Sequence, residues 1–353
     1  MPPDRASSAT LPSPFEPFTI PWDAPQLSAA DLDGFANAFE WWYFDLATDD
    51  GIELVVIFSR QNPIFATRKA SVYLEYHDGT KVFKHIRNYP RDKFSWSESA
   101  SMHELRVGSS SVRIVGADPE HMQYEVNIGL PWLTGSLTMT PQHRGFLPTA
   151  DGTYFRSRTD PRLSTSVSFS APIMQTTGTL TVNGVARAVT GRGYHDHPWG
   201  TEQLFWTNFE WNWARTVTAA EGIMFADVTP TPEFTGALTF LYSGAVGTFE
   251  PQVTAELQVT GSDWRKDSFF GINFPHTVNV KASMIAGQAV STGSMLDTPI
   301  YNRCAVTWTP QPGGPAGTGW VEYFHLSSWG RWLAFYGARV QSFFMRPFPW
   351  FGR

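Results

Sequence analysis

From residue 40 onward, apolar and polar positions alternate in short runs separated by turn-forming clusters. Residues 52–58, 70–76, 105–115, 123–128 and 135–139 carry the period-2 texture, rich in β-branched and aromatic side chains, of half-buried strands. Asp49-Asp50-Gly51, His77-Asp78-Gly79 and Gly116-Ala117-Asp118-Pro119 bound them as turns. In the second half, runs 179–182 and 185–190 flank Asn183-Gly184, a dipeptide suited to a two-residue hairpin loop. Further strands are predicted at 205–213, 222–228, 238–242, 252–259, 278–286, 303–308, 319–325 and 332–335. No segment keeps a 3.6-residue period for three turns. The best helical candidate is short, residues 28–33 with Ser28 as N-cap. The pattern predicts an all-β protein with little helix, built as sandwich or barrel.

The chain has 353 residues, enough for two domains. Residues 1–36, rich in Pro, Ser and Ala, read as an extended arm that docks on the body near Trp22. Residues 145–161, with Pro148, Asp151-Gly152 and Asp160-Pro161, read as a linker. The division expected is therefore an N-terminal β domain over 37–155 and a C-terminal β domain over 156–353.

Composition narrows the function. Aromatic residues make up 15% of the chain, with 15 Trp and 27 Phe, more than a core alone usually needs. Large rigid rings also build pockets for apolar ligands. The net charge is −6 and no basic stripe appears, which argues against a nucleic-acid partner. The single cysteine, Cys304, excludes an intramolecular disulfide framework and a Cys-based zinc site. No apolar run approaches the roughly 20 residues of a membrane-spanning helix, and the N-terminus lacks a signal-type apolar stretch. A cytoplasmic protein with a small hydrophobic substrate is expected, with at most transient membrane contact.

Two segments concentrate chemistry. In Glu40-Trp41-Trp42-Tyr43-Phe44-Asp45, alternation on a strand sends Glu40, Trp42 and Phe44 one way and Trp41, Tyr43 and Asp45 the other. Each face holds one carboxylate among rings, where desolvation raises its pKa and suits it to acid catalysis near neutral pH. The alternative is an interface strand whose Glu40 pairs with an arginine. The second segment runs Gly191-Arg192-Gly193-Tyr194-His195-Asp196-His197-Pro198-Trp199-Gly200. Here Tyr194 and Asp196 share one face as a candidate acid site, and His195 and His197 share the other. Two imidazoles so spaced suit either a metal ion or a hydrogen-bonded structural pair. With no third ligand in view, no metal is expected. Pro198 biases His197 to extended backbone. The lone G-x-G of Gly191–Gly193 does not make a nucleotide site, and no G-x-S-x-G elbow is present. In the tract from Phe205 to Trp213, Phe209, Trp211 and Trp213 line one face, as core or as pocket wall.

At these motifs the chain resembles the CrtC/AttH-like family, which includes carotenoid 1,2-hydratases (hydroxyneurosporene synthases) and, more distantly, lipocalin-like Diels–Alderases. Glu40–Asp45 resembles the family's first-strand signature. Tyr194–Gly200 is similar to its second, usually written with Asn where Pro198 stands, and Gly319-Trp320-Val321-Glu322-Tyr323 resembles its closing motif. The resemblance spans roughly residues 38–330. It implies two lipocalin-like β-barrel or sandwich domains and a ligand site near their junction. It also implies cofactor-independent chemistry in which Asp196 is the acid and Tyr194 assists. The family's hydratases carry His and Trp on the strand before an Ala-Pro turn, whereas Val167-Ser168-Phe169-Ser170-Ala171-Pro172 has neither. The expectation is a lyase or cyclase acting on a C=C bond of an isoprenoid, polyene or polyketide. Asp196, Tyr194, His195, His197 and Glu40 are its candidate catalytic groups. Trp41, Tyr43, Trp199, Phe209, Trp211 and Trp213 are its candidate substrate contacts. The alternatives are a pericyclase that works by conformer selection and a non-enzymatic carrier of lipid or pigment.

Overall fold

The computed structural model describes residues 15–62, 68–79, 82–266, 273–297 and 301–325. Of these, 67% are strand and 6% helix, the all-β, two-sheet architecture expected. The strand expected at 332–335 lies outside the described residues.

The first sheet has 15 strands, eleven of them along one path. They are β1 (Phe39–Thr48), β2 (Glu53–Gln61), β3 (Ala70–His77), β4 (Val82–Tyr89), β5 (Phe94–Ser99), β6 (Met102–Val107), β7 (Ser110–Val115), β8 (Gln123–Gly129), β9 (Leu133–Pro141), β10 (Ser164–Val182) and β11 (Val185–Gly200). Their order is β4-β3-β2-β1-β11-β10-β9-β8-β7-β6-β5. The edge strands β4 and β5 are neighbours in the chain, joined through the short 3-10 turn Arg91–Lys93. The two edges therefore approach one another, and the sheet curls into a barrel-like shell. The second sheet has nine strands: β12 (Asn208–Val217), β13 (Glu221–Pro230), β14 (Leu238–Ala245), β15 (Gln252–Thr254), β16 (Leu257–Lys266), β17 (Asn273–Ala282), β18 (Ala286–Asp297), β19 (Tyr301–Gln311) and β20 (Gly317–His325). Its order, β15-β14-β13-β12-β20-β19-β18-β17-β16, again ends on two strands adjacent in sequence.

Local chemistry explains the elements. Asn183 (φ 50°) and Gly184 (φ 83°) take the left-handed conformations of a tight hairpin turn, and β10 and β11 pair outward from it. Ser28 caps a six-residue helix, Ala29–Gly34, in a reciprocal capping box with Asp31. The run expected at 105–115 is broken by a turn at Gly108, which has φ of 60°. The tract expected as strand from 205 begins as a helical turn, Leu204–Thr207, before β12.

Two expectations need correction. The sheet changes between Gly200 and Asn208, not at 155/156, because β10 and β11 hydrogen-bond into the first sheet beside β9 and β1. Nor is 145–161 a bare linker. It forms two short strands, Phe146–Leu147 and Thr153–Ser157, whose Phe146, Leu147, Tyr154 and Phe155 are buried. Phe146 stacks among Phe169, Phe240 and Tyr242, and Thr153–Ser157 pairs with Phe234–Gly236. Apolar side chains, not Pro and Gly, decided that segment.

Among the described residues three large apolar cores result, the interior of the first shell, the interior of the second, and a layer between them, with a small fourth cluster around Phe324. The arm's Phe18, Ile20 and Trp22 join the first. The third is rich in Phe and Tyr, and β1 and β11 form its wall.

Candidate active site

β1 and β11 pair in register, with Tyr43 opposite Asp196 and Phe44 opposite His195. A bulge between Glu40 and Trp41 adjusts β1 against β2. Gly191 and Gly193 allow this pairing. A Cβ on Gly191 would lie 2.2 Å from the Ala47 carbonyl oxygen, and one on Gly193 would lie 3.0 Å from that of Asp45. The Gly-x-Gly thus serves close strand approach.

The two faces of this strand pair differ. On the inner face, Glu40, Trp42, Phe44, His195, His197 and Trp199 point into the first shell. Nδ1 of His195 lies 2.8 Å from the Tyr43 carbonyl oxygen, and Nδ1 of His197 lies 2.8 Å from that of Trp22. A carbonyl only accepts, so both Nδ1 atoms carry hydrogen. Each Nε2 then faces a carboxylate: Asp23 Oδ1 at 3.3 Å from His195, and Glu40 Oε1 at 3.4 Å from His197. Asp23 also accepts from the Ser170 and Tyr124 hydroxyls, each at 2.5 Å. Burial pushes the Asp23 carboxyl up, but His195, His197 and Ser170 outweigh it and hold it below the usual range. Glu40 accepts from the backbone N–H of Gln26 and from Arg60 Nη1 at 3.1 Å. Phe44 stacks on His195 with centroids 4.0 Å apart, and Trp42 stacks on His197 at 4.3 Å. Trp199 stacks on Trp22. This face binds the N-terminal arm to the shell.

The outer face looks into the layer between the sheets. The Tyr194 hydroxyl donates to Asp196 Oδ2 at 2.6 Å. Asp196 Oδ1 is buried without a hydrogen-bond partner, as are the Tyr43 hydroxyl, Asp45 Oδ2, Trp211 Nε1 and Arg303 Nη1. Rings surround them: Tyr43 meets Tyr194 edge-on, Tyr194 meets Trp213, and Trp211 stacks on Phe324 at 4.2 Å. Burial pushes the Asp196 carboxyl up to about 7; the Tyr194 hydroxyl opposes the rise and the Glu322 carboxylate adds to it. Burial likewise raises Asp45 to about 8, against the pull of Arg215 and Arg303. Arg215 Nη2 donates to Asp45 at 2.5 Å, and its guanidinium lies over Trp320 with its carbon 4.5 Å from the ring centroid. Arg303 sits between Glu322 (3.5 Å) and Glu75 (3.9 Å), so two buried charge groups join the sheets here.

The expected residues therefore separate. Tyr194, Asp196, Tyr43, Trp211 and Trp213 gather between the sheets. Glu40, His195, His197 and Trp199 lie on the opposite face, because side chains alternate along a strand. Glu40 pairs with an arginine, the alternative left open above. Trp41 is buried against Phe39, and Phe209 is 37% exposed beside His325, at a bulge in β12. Arg215, Arg303 and Glu75 were not foreseen. Their signal was a charge in mid-strand among apolar residues, as in Trp213-Ala214-Arg215 and Tyr73-Leu74-Glu75.

The fold and this interface define a two-shell, lipocalin-like β protein with one buried polar cluster inside the first shell and another between the shells. An AttH-like protein of Nitrosomonas europaea is similar over 85% of this chain and 97% of its own, with TM-score 0.58 and 18% identity. CghA, solved with Sch210972, covers 83% of this chain and 89% of its own, with TM-score 0.60 and 12% identity. Kievitone hydratase from Nectria haematococca covers 86% and 94%, with TM-score 0.52 and 14% identity. At these identities the likeness establishes the shared fold. No family model and no curated protein matches the sequence.

Proposed function

We propose that the protein is a lyase- or cyclase-type enzyme acting on a hydrophobic isoprenoid, polyene or polyketide held between the two shells. Asp196 is its proton or hydrogen-bond donor. The observation that carries this is the Asp196 carboxyl itself: one oxygen is bound by Tyr194, the other is buried without a partner, and its pKa lies near 7. A carboxyl poised near neutrality among rings is a suitable acid for a C=C bond. The carbocation that protonation forms is stabilised by aromatic faces, by about 0.5–2 kcal/mol per contact. The neighbours of the same fold include a hydratase, which agrees with this class of chemistry. In this reading Tyr194 orients Asp196. His195, His197 and Glu40 support the strand from its other face, and no cofactor takes part.

The aromatic wall of Trp211, Trp213 and Phe324 also favours a second reading, cycloaddition by selection of a reactive conformer. Asp196→Asn separates the two. Loss of an acid should lower turnover by about 10²-fold or more, with ligand affinity nearly unchanged. A conformer-selecting catalyst should lose little. If the purified protein binds but never transforms the hydrophobic compounds of its producing cell, as read by mass spectrometry, it is a carrier and the enzyme reading fails.

A further inference from the structure

One pole of the inter-sheet space is left unused by the acid chemistry of Asp196. Arg303, on β19, is 4% exposed and Cys304 beside it 4%. Its Nε lies 3.5 Å from Glu322 and 3.3 Å from the Tyr301 hydroxyl, and its Nη2 lies 3.9 Å from Glu75. Its Nη1 is buried with no acceptor. The Tyr43 hydroxyl, on the facing sheet, is also buried without a partner and lies within the field of Arg303. Burial holds that phenol well above its ordinary pKa, so it keeps its proton and can donate. Tyr43 stands directly opposite Asp196 in the β1–β11 ladder. Two unmatched donors thus stand on facing sheets and within each other's field, with an unmatched carboxyl oxygen on the residue paired with Tyr43, and leaving buried donors unmade costs about 1–3 kcal/mol each.

We infer that Arg303 Nη1 and the Tyr43 hydroxyl form a donor pair that binds a neutral carbonyl-type oxygen on an otherwise apolar substrate. This rests on the reading that the inter-sheet space holds the substrate. The choice of a neutral oxygen over a carboxylate follows from the charges already present. Arg303 already lies between Glu75 and Glu322, and Arg215 donates to Asp45. A further anion would therefore be buried without an unmatched cation, whereas a ketone, aldehyde or amide oxygen accepts both hydrogen bonds and adds no charge.

Three probes on one skeleton test this by calorimetric titration: β-ionone as the unsaturated ketone, the hydrocarbon of the same skeleton, and 3-(2,6,6-trimethylcyclohex-1-enyl)prop-2-enoate as the carboxylate. The wild-type protein should bind the ketone about fivefold tighter than the hydrocarbon, the scale of one net hydrogen bond, and no tighter as the carboxylate. Tyr43→Phe removes a hydroxyl that has no partner in the fold, so folding should be unharmed. It should reduce the ketone preference to within about twofold and leave hydrocarbon affinity unchanged. Arg303→Lys keeps a charge against Glu75 and Glu322 but loses the free fork, and should do the same. Equal binding of ketone and hydrocarbon by the wild type, a tighter carboxylate, or an undiminished preference in Tyr43→Phe each overturns the inference while leaving Asp196 in place. Failure to bind any of the three overturns the inference together with the pocket on which it rests.

Discussion

Replacing Asp23 by asparagine tests whether the histidine face of the strand pair is a structural lock. Asp23 is fully buried, accepts two hydroxyl hydrogen bonds of 2.5 Å, and lies 3.3 Å from Nε2 of His195. Asparagine keeps the shape and removes the charge. The Ser170 and Tyr124 hydroxyls then lose a charged acceptor, and Nε2 of His195 loses the carboxylate it faces. Hydrogen bonds to charged groups contribute about 1.5–3 kcal/mol each. These effects overlap, so a loss of about 3–5 kcal/mol is expected, a large share of the roughly 5–15 kcal/mol that holds a domain together. The sign with pH follows from the lowered Asp23 pKa. Its stabilisation is complete above the ordinary carboxylate range and fades as pH falls through the lower folded-state value. Urea midpoints should therefore differ most at pH 7 and converge in acid. A difference below about 1 kcal/mol at pH 7, or one that grows on acidification, would refute the lock.

Two further outcomes are expected. If Asp196 is the acid, log kcat should fall with a slope near −1 as pH rises through about 7, the value to which burial raises it; a flat alkaline limb in wild type would assign the chemistry elsewhere. Gly191→Ala should cost about 1–3 kcal/mol in thermal or urea unfolding, because the new Cβ meets backbone, 2.2 Å from the Ala47 oxygen and 2.7 Å from Thr48 Cα; a neutral result would show that β1 and β11 are not so closely paired.

Much of the fold was legible because period-2 alternation is local. The hairpin at Asn183-Gly184, the Ser28 cap and the opposed faces of residues 40–45 and 194–197 all follow from residues within a few positions of one another. What was not legible depended on partners distant in sequence. Nothing near Gly200 signals that β10 and β11 belong with β1, since the register is set by Tyr43–Asp196 and Phe44–His195 contacts about 150 residues apart. The segment 145–161 was misread because its Pro and Gly are visible locally, while the ring cluster that buries Phe146 comes from residues 169, 240 and 242. The site divided in a similar way. Alternation foretold that Asp196 and His197 point apart, but the sequence gives no sign of which face meets the second sheet. Asp23, Arg215 and Arg303 became recognisable only when the sheets were brought together.

The two faces are nonetheless one device. His195 reaches through its Nδ1 to the carbonyl of Tyr43, so a ring inside the first shell fixes the backbone of a residue whose hydroxyl lies between the shells. His197 reaches in the same way to the carbonyl of Trp22, tying β11 to the arm. Asp196 lies between these two anchors and opposite Tyr43, and its backbone is restrained on both sides before any ligand arrives. A group that must hold a proton near one carbon among many gains more from such restraint than from additional contacts, because misplacement by about 1 Å can cost about 10²-fold in rate. On the proposed function, Asp23 and Glu40 stabilise this β1–β11 wall from the side that faces away from the substrate, and leave the other side to Asp196, Tyr194 and the unmatched donors facing them.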